Sequence, residues 1–144
     1  MKKIKLIGLL FTAIFFYSCD TIQKATNSTG GVFSLTGTWE LYSNSPDNTL
    51  TGSRVTVLPL VSEGRFILLN NNTQCYREND VKWKDIMSDN SGSFNISNLV
   101  STCNTGSLNY KPAKILVVNA NEIRVSGKNA TGMDNMQVWR KADK

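Results

Sequence analysis

The chain has 144 residues, 40% of them hydrophobic and 19% charged, which is enough for one packed domain and too few for two ordinary ones. Its formal net charge is +5, but three lysines lie in the first five residues and all 11 acidic residues follow residue 19. Without the first 18 residues, 13 basic and 11 acidic residues remain, and this balance of +2 argues against a nucleic-acid-binding protein.

The amino terminus has the layout of an export signal. Residues 1–5 carry three lysines, residues 6–16 are almost entirely apolar, and a small residue, Ser18, precedes Cys19. An apolar run of 11 residues is shorter than the roughly 20 residues that a membrane-spanning helix needs. The segment around the cysteine, FFYSCDTIQK, resembles the lipobox of bacterial lipoproteins, although Phe16 and Tyr17 depart from the residues that the family prefers there.

The lipobox resemblance implies that residues 1–18 are a signal peptide cut before Cys19, and that this cysteine carries acyl chains such as palmitate. Several acyl chains hold a protein stably on a membrane, so the membrane is the first expected partner. The expected location is the bacterial cell envelope, with the outer membrane favoured over the inner one. An ordinary signal peptide cut nearby, which would leave Cys19 as a free thiol, is the alternative.

The two remaining cysteines predict a disulfide. Once Cys19 is assigned to lipid, Cys75 and Cys103 form an even pair in a compartment where disulfides persist. Closing this loop is expected to stabilise the fold by roughly 3–4 kcal/mol. Two buried thiols, or two ligands of a metal site, remain alternatives. The chain has no histidine, so the usual Cys/His zinc sets cannot form.

Residues 19–34 are polar and rich in Thr, Ser, Asn and Gly, and they are expected to form a flexible tether in front of a folded domain at 35–144. Within the domain, short β-type runs are separated by turn residues. The predicted strands are, in chain order, TGTWELYS, RVTVLPLV, RFILLN, QCYR, VKWKDI, GSFNISNLV, AKILVVN, EIRVSG and MQVWRK. For VKWKDI a helical turn is the alternative to a strand. Trp83, between Lys82 and Lys84, is expected to be half-buried on an alternating strand, and an exposed aromatic that contacts carbohydrate or a partner is the alternative.

This series of short strands predicts an all-β fold, because no segment has the pattern of a long amphipathic helix. A small antiparallel up-and-down β-barrel of about eight strands is favoured, since a closed barrel has no exposed sheet edges. Barrels of this size have room for side chains, or for one small ligand.

The segment LTGTWEL resembles the first-strand motif Gly-any-Trp of lipocalins and their calycin relatives, with Gly37 and Trp39 at the motif positions. The resemblance implies a lipocalin-like barrel in which Trp39 closes one end and Arg140, from the last strand, stacks across it. The second motif of the family, a Thr-Asp-Tyr-type loop, is not visible. The META-type domain of envelope stress proteins, to which LVSTCN is faintly similar, is the second candidate.

Strand alternation nominates residues that would face the barrel interior and line a small apolar ligand: Phe66, Leu68, Phe94, Ile96, Ile123 and Val125. The same residues would equally serve as an ordinary core. The expected function is therefore a lipid-anchored, non-catalytic protein that binds a small hydrophobic ligand. The alternative is a structural lipoprotein with a filled core, which would act through its surface on an envelope protein partner.

The sequence offers little support for an enzyme. Without histidine, Ser-His-Asp and Cys-His catalysis are impossible, whereas a Ser-Lys or paired-carboxylate site is not excluded in principle. The acidic residues between Glu78 and Asp89 lack the regular spacing of a calcium loop. No cofactor and no metal site are predicted.

Overall fold

A computed structural model describes residues 24–26, 32–89, 91–101, 103 and 108–142, with side chains from residue 33 onwards. The described part of the chain is all-β: a closed antiparallel barrel of eight strands, preceded by a small two-stranded sheet. Each barrel strand pairs with its neighbours in sequence, and the last strand pairs with the first. The predicted up-and-down barrel is therefore confirmed. Within these residues, no helix is long and apolar enough to cross a membrane.

The strands have the following bounds. The small sheet consists of β1 (Lys24–Thr26) and β2 (Val32–Ser34). The barrel consists of β3 (Gly37–Ser45), β4 (Arg54–Val57), β5 (Gly64–Leu68), β6 (Val81–Asp89), β7 (Ser93–Leu99), β8 (Tyr110–Asn119), β9 (Glu122–Lys128) and β10 (Asp134–Lys141).

The packed structure begins before the predicted domain boundary at residue 35. The Phe33 ring, on β2, lies 6.0 Å from the Trp39 ring and 6.4 Å from the Phe94 ring, between ring centroids. Phe33 is buried, and Leu35 is fully buried. The end of the predicted tether therefore contributes to the core. The predicted signal peptide and Cys19 lie outside the described residues.

The predicted strand QCYR is wrong, because these residues belong to the loop between β5 and β6. The Asn72 side chain organises this loop: its Nδ2 donates a hydrogen bond to the Tyr76 carbonyl oxygen (2.7 Å), and its Oδ1 accepts one from the Tyr76 backbone N–H (3.2 Å). Side-chain amides that bond the nearby backbone in this way compete with strand pairing. Cys75 also has a positive φ of 59°, which a regular strand does not allow.

Aromatic side chains fill much of the barrel. Trp39, Trp83 and Trp139 are all fully buried, and the Trp83 and Trp139 rings meet edge to face with centroids 5.0 Å apart. Aromatic pairs in this arrangement are stabilising beyond the area that they bury. The room for Trp83 comes from Gly64 on β5: a Cβ added there would lie 2.8 Å from Trp83 Cε3.

Five of the six predicted interior residues are buried: Phe66, Phe94, Ile96, Ile123 and Val125. The sixth, Leu68, is wrong, because it is 42% exposed. Arg54 pairs with Leu68 and Val55 pairs with Phe66, so β5 has one extra residue, Ile67, opposite β4. Such a β-bulge interrupts the alternation, and it turns Leu68 to the outside of the barrel.

The prediction that Arg140 stacks on Trp39 is also wrong. Lys141 pairs directly with Trp39 and places its Nζ 4.6 Å from the centre of the indole ring, where it also donates a hydrogen bond to the Thr36 carbonyl oxygen (2.7 Å). Arg140 faces outwards, since neighbours on a strand alternate, and its guanidinium lies 3.5 Å from the centre of the Tyr42 ring. The predicted cation over Trp39 therefore exists, but the next residue supplies it.

The strand order defines two ends of the barrel. The closed end carries the start of β3, the β4–β5 loop and the end of β10, with Trp39 inside it. The open end carries the described residues of four connections: 46–53, 69–80, 100–101 with 103 and 108–109, and 129–133. The predicted disulfide between Cys75 and Cys103 is present, and it joins two of these open-end loops.

Candidate functional site

A cavity of about 100 Å³ opens between the loops of the open end. Its walls come from the β3–β4, β5–β6, β7–β8 and β9–β10 loops, together with inward-facing residues at the adjoining strand ends. Most of the residues that line it are polar, and the full set is Asn44, Asp47, Thr49, Leu50, Gln74, Tyr76, Lys82, Asn98, Leu99, Val100, Asn129, Ala130, Thr131, Asn135 and Gln137. The cavity therefore differs in character from the apolar interior that the strand pattern predicts.

A β-bulge turns Lys82 into the barrel. Gly64 pairs with Trp83 and Arg65 pairs with Val81, so β6 has one extra residue, Lys82, opposite β5. Regular alternation would place Lys82 and Trp83 on opposite faces, whereas both side chains are buried here. The bulge thus makes Lys82 part of the cavity wall.

The Lys82 ammonium has unusual surroundings for a charged group. The residue is 1% exposed, and its Nζ donates a hydrogen bond to the Leu99 carbonyl oxygen at 2.7 Å. Its Nζ also lies 5.6 Å from the centre of the Tyr76 ring. No carboxylate forms an ion pair with Lys82 among the described residues. Burial therefore lowers the pKa of Lys82 from 10.5 to about 7.

Asn98 lines the same cavity from the neighbouring strand β7, where it pairs with Trp83. The residue is 4% exposed, and its Oδ1 is buried without a hydrogen-bond donor from the described part of the chain. Three other amides of the lining have partners in the protein. Asn135 Nδ2 donates to Asn44 Oδ1 at 2.8 Å, and Gln137 Oε1 accepts from Trp139 Nε1 at 3.2 Å.

A buried acceptor without a donor carries a cost of about 1–3 kcal/mol. Since Asn44, Asn135 and Gln137 have hydrogen-bond partners, Asn98 is the place in the cavity where a donor from another molecule would be most favourable. The described residues include one further buried, unpaired polar atom, Trp83 Nε1, which lies in the aromatic core and does not line the cavity.

The disulfide lies beside this cavity. Cys75 lies between two lining residues, Gln74 and Tyr76, and Cys103 lies in the loop that follows the lining residue Val100. The Tyr76 hydroxyl donates to the Leu99 carbonyl oxygen at 3.4 Å, and the Tyr76 ring stacks on Phe66 at 5.6 Å. The covalent link ties the β5–β6 loop to the β7–β8 loop, and the Tyr76 hydroxyl ties it to the end of β7, so one side of the cavity mouth is fixed.

The residues predicted to line a ligand are elsewhere. Phe66, Phe94, Ile96, Ile123 and Val125 are part of the packed core, and none of them lines this cavity. One residue of the polar cavity could have been predicted from the sequence. The alternation that places Phe94 and Ile96 inside the barrel also places Asn98 there. Lys82 has no such signal, since a bulge cannot be seen in VKWKDI.

Another cluster of polar side chains closes the β6–β7 hairpin. Asp89 accepts hydrogen bonds from the Ser91 and Ser93 hydroxyls at 2.6 Å each, and it forms an ion pair with Lys114 at 2.8 Å. These contacts, with Lys114 first, hold the pKa of the Asp89 carboxyl well below its usual range. Both carboxylate oxygens are bonded by residues of the turn and by Lys114 on β8, so the cluster is structural. No group of residues able to hold a metal ion occurs among the described residues.

Comparisons with protein-family models, with curated proteins and with solved structures found no match for this chain. The functional argument therefore rests on the sequence and on the geometry of the cavity.

Proposed function

We propose that this protein is a lipid-anchored protein of the bacterial cell envelope that binds a small ligand in the open end of a lipocalin-like barrel and catalyses no reaction. The binding role is supported by two buried polar groups that line the same cavity of the described structure: the Asn98 Oδ1, which has no hydrogen-bond partner, and the Lys82 side chain. Because both groups are polar and the apolar interior is packed, the proposed ligand is polar and not the hydrophobic one that the sequence favours.

The lipid anchor is supported by the basic and apolar residues in front of Cys19, and the disulfide is in keeping with an exported protein. Changing Cys19 to Ser is expected to abolish labelling by radioactive palmitate and to move the protein from the membrane to the soluble fraction. Cys103→Ser, which changes a cysteine of the disulfide, serves as the matched control and should stay on the membrane. Equal labelling of wild type and Cys19→Ser would refute the anchor.

The binding role is tested by native mass spectrometry of protein purified from its host. The expected result is a mass above that of the denatured chain, by an adduct that denaturation releases. Asn98→Leu should lose the adduct, because it removes the unpaired acceptor. Asn95→Leu is the matched control, since Asn95 lies on the same strand and faces solvent. A native mass equal to the denatured mass would contradict a bound ligand.

A surface function is the second candidate, because the closed end exposes apolar side chains. Leu58 and Leu60 in the β4–β5 loop are 58% and 66% exposed. If the native mass shows no adduct, Leu60→Ser is expected to abolish a cross-link to an envelope protein that the wild type forms. An unchanged cross-linking pattern in the variant would rule out this loop as the contact.

A further inference from the structure

We propose that the cavity at the open end recognises a small carboxylate that also carries an O–H or N–H donor, as α-hydroxy acids and α-amino acids do. This inference rests on the proposed binding function and specifies the chemistry of its ligand. The structural basis is the combination, within the described residues, of a buried ammonium without a carboxylate partner and a buried carbonyl oxygen without a donor in one cavity.

The carboxylate is inferred from Lys82. A protonated lysine has three N–H donors, and the Leu99 carbonyl oxygen is the hydrogen-bond acceptor that Lys82 contacts within the described residues. A ligand carboxylate would supply both a further acceptor and the missing negative charge. Hydrogen bonds between charged partners are shorter and stronger than neutral ones, so an anion is favoured over a neutral ligand at this position.

The donor is inferred from Asn98. Its Oδ1 accepts no hydrogen bond from the residues that the structure describes, and Asn98 and Lys82 lie on the paired strands β7 and β6. A ligand with a carboxylate alone would leave this oxygen unpaired and buried. Sites that are built to bond a donor discriminate strongly against analogues that lack it. A hydroxyl or amino group on the ligand would remove the mismatch.

The size of the ligand follows from the cavity. A cavity of about 150 Å³ accommodates benzene, which has six non-hydrogen atoms, so a cavity of about 100 Å³ has room for roughly four. Lactate, with six non-hydrogen atoms, carries both required groups and would extend into the open mouth of the cavity. Any larger ligand of the same class would extend past the rim, where Asp47 is exposed.

The charge on Lys82 predicts that binding depends on pH. The other ionisable groups lining the cavity are Asp47, on the exposed rim, and Tyr76, whose phenol pKa is raised far above its usual range, mainly by burial and then by Asp80. The raised pKa keeps the Tyr76 phenol neutral between pH 6 and 9. If only the protonated amine binds the carboxylate, affinity should fall roughly 100-fold from pH 6 to pH 9.

The test measures binding of lactate, propionate and lactamide to the purified protein by calorimetry at pH 6 and pH 9. Propionate lacks the donor, and lactamide lacks the charge. Lactate is expected to bind at least tenfold more tightly than either at pH 6, with the loss at pH 9 described above. Lys82→Met should abolish lactate binding. Lys84→Met, which removes the same charge from a lysine whose Nζ lies over the Tyr110 ring, should leave it unchanged.

The outcomes separate this inference from the proposed function. Equal binding of lactamide and lactate without pH dependence would overturn the carboxylate and leave a binding protein for neutral polar ligands. If no probe binds but the native protein carries an adduct that Asn98→Leu loses, the inference of a carboxylate ligand is wrong. The proposed binding function then stands. If no probe binds and the native protein also carries no adduct, both proposals fail.

Discussion

Replacement of Lys82 by Met is expected to abolish a specific pH dependence of folding stability. The folded-state pKa of about 7 lies below the ordinary value of 10.5, so the unfolded chain binds more protons than the folded chain between these values. At about 1.4 kcal/mol for each pKa unit, the protonated amine costs about 5 kcal/mol at low pH. This penalty is relieved as pH rises from 7 to 10.5, and it is fully present as pH falls below 7.

Between pH 7 and pH 9 the wild type is therefore expected to gain about 2 kcal/mol of unfolding free energy relative to Lys82→Met. Urea titrations at pH 7, 8 and 9 measure the difference, with Cys19 changed to Ser in both proteins to remove the proposed site of the lipid anchor. The chain has no histidine to titrate in this range. Burial also lowers the pKa of Lys141, but this residue is present in both proteins, so its contribution to the pH dependence cancels in the difference. Parallel stability curves for the two proteins would refute the burial of a protonatable Lys82.

Three further predictions follow from the packing. Phe66→Ala is expected to lower the unfolding free energy by about 3–5 kcal/mol and Leu68→Ala by less than about 1 kcal/mol, because of the two residues only Phe66 lies in the core. Equal losses in urea unfolding would contradict the bulge in β5. Lys141→Met is expected to lower the melting temperature more than Arg140→Met, since it removes the cation over Trp39 and the bond to Thr36; the opposite order would favour Arg140 as the stabilising cation. Changing both Cys75 and Cys103 to Ala is expected to cost about 3–4 kcal/mol for a sequence separation of 28, and an unchanged urea midpoint would show that the link adds nothing to stability.

The sequence predicts the barrel well because its strands are short, regularly spaced and separated by turn residues. The alternation of Phe94 and Ile96 on β7 and of Ile123 and Val125 on β9 is preserved in the structure, and all four residues are buried. The disulfide is predictable from cysteine parity together with the predicted export signal. These features are local in sequence, or they follow from composition, so no knowledge of strand pairing is needed.

The errors at Leu68 and Arg140 occur where pairing between strands decides the outcome. The extra residue Ile67 turns Leu68 outwards, and a similar irregularity in the pairing of β3 with β10 accompanies the outward position of Arg140 beside Tyr42. A β-bulge depends on the register of two strands, and neither strand shows it alone. The candidate site escapes prediction for the same reason, because its lysine is itself the extra residue of a bulge.

The bulge at Lys82 links the core to the site. It lets Trp83 enter the barrel, where Gly64 leaves the necessary space, and it turns the neighbouring lysine towards the open end. Asn98 pairs with Trp83, so the polar end of the cavity lies directly beside the tryptophan layer. Both polar groups are therefore carried by strands, and functional groups on rigid elements are held more precisely than groups on loops. We expect the loops to adjust the mouth of the cavity, while β6 and β7 determine what it recognises.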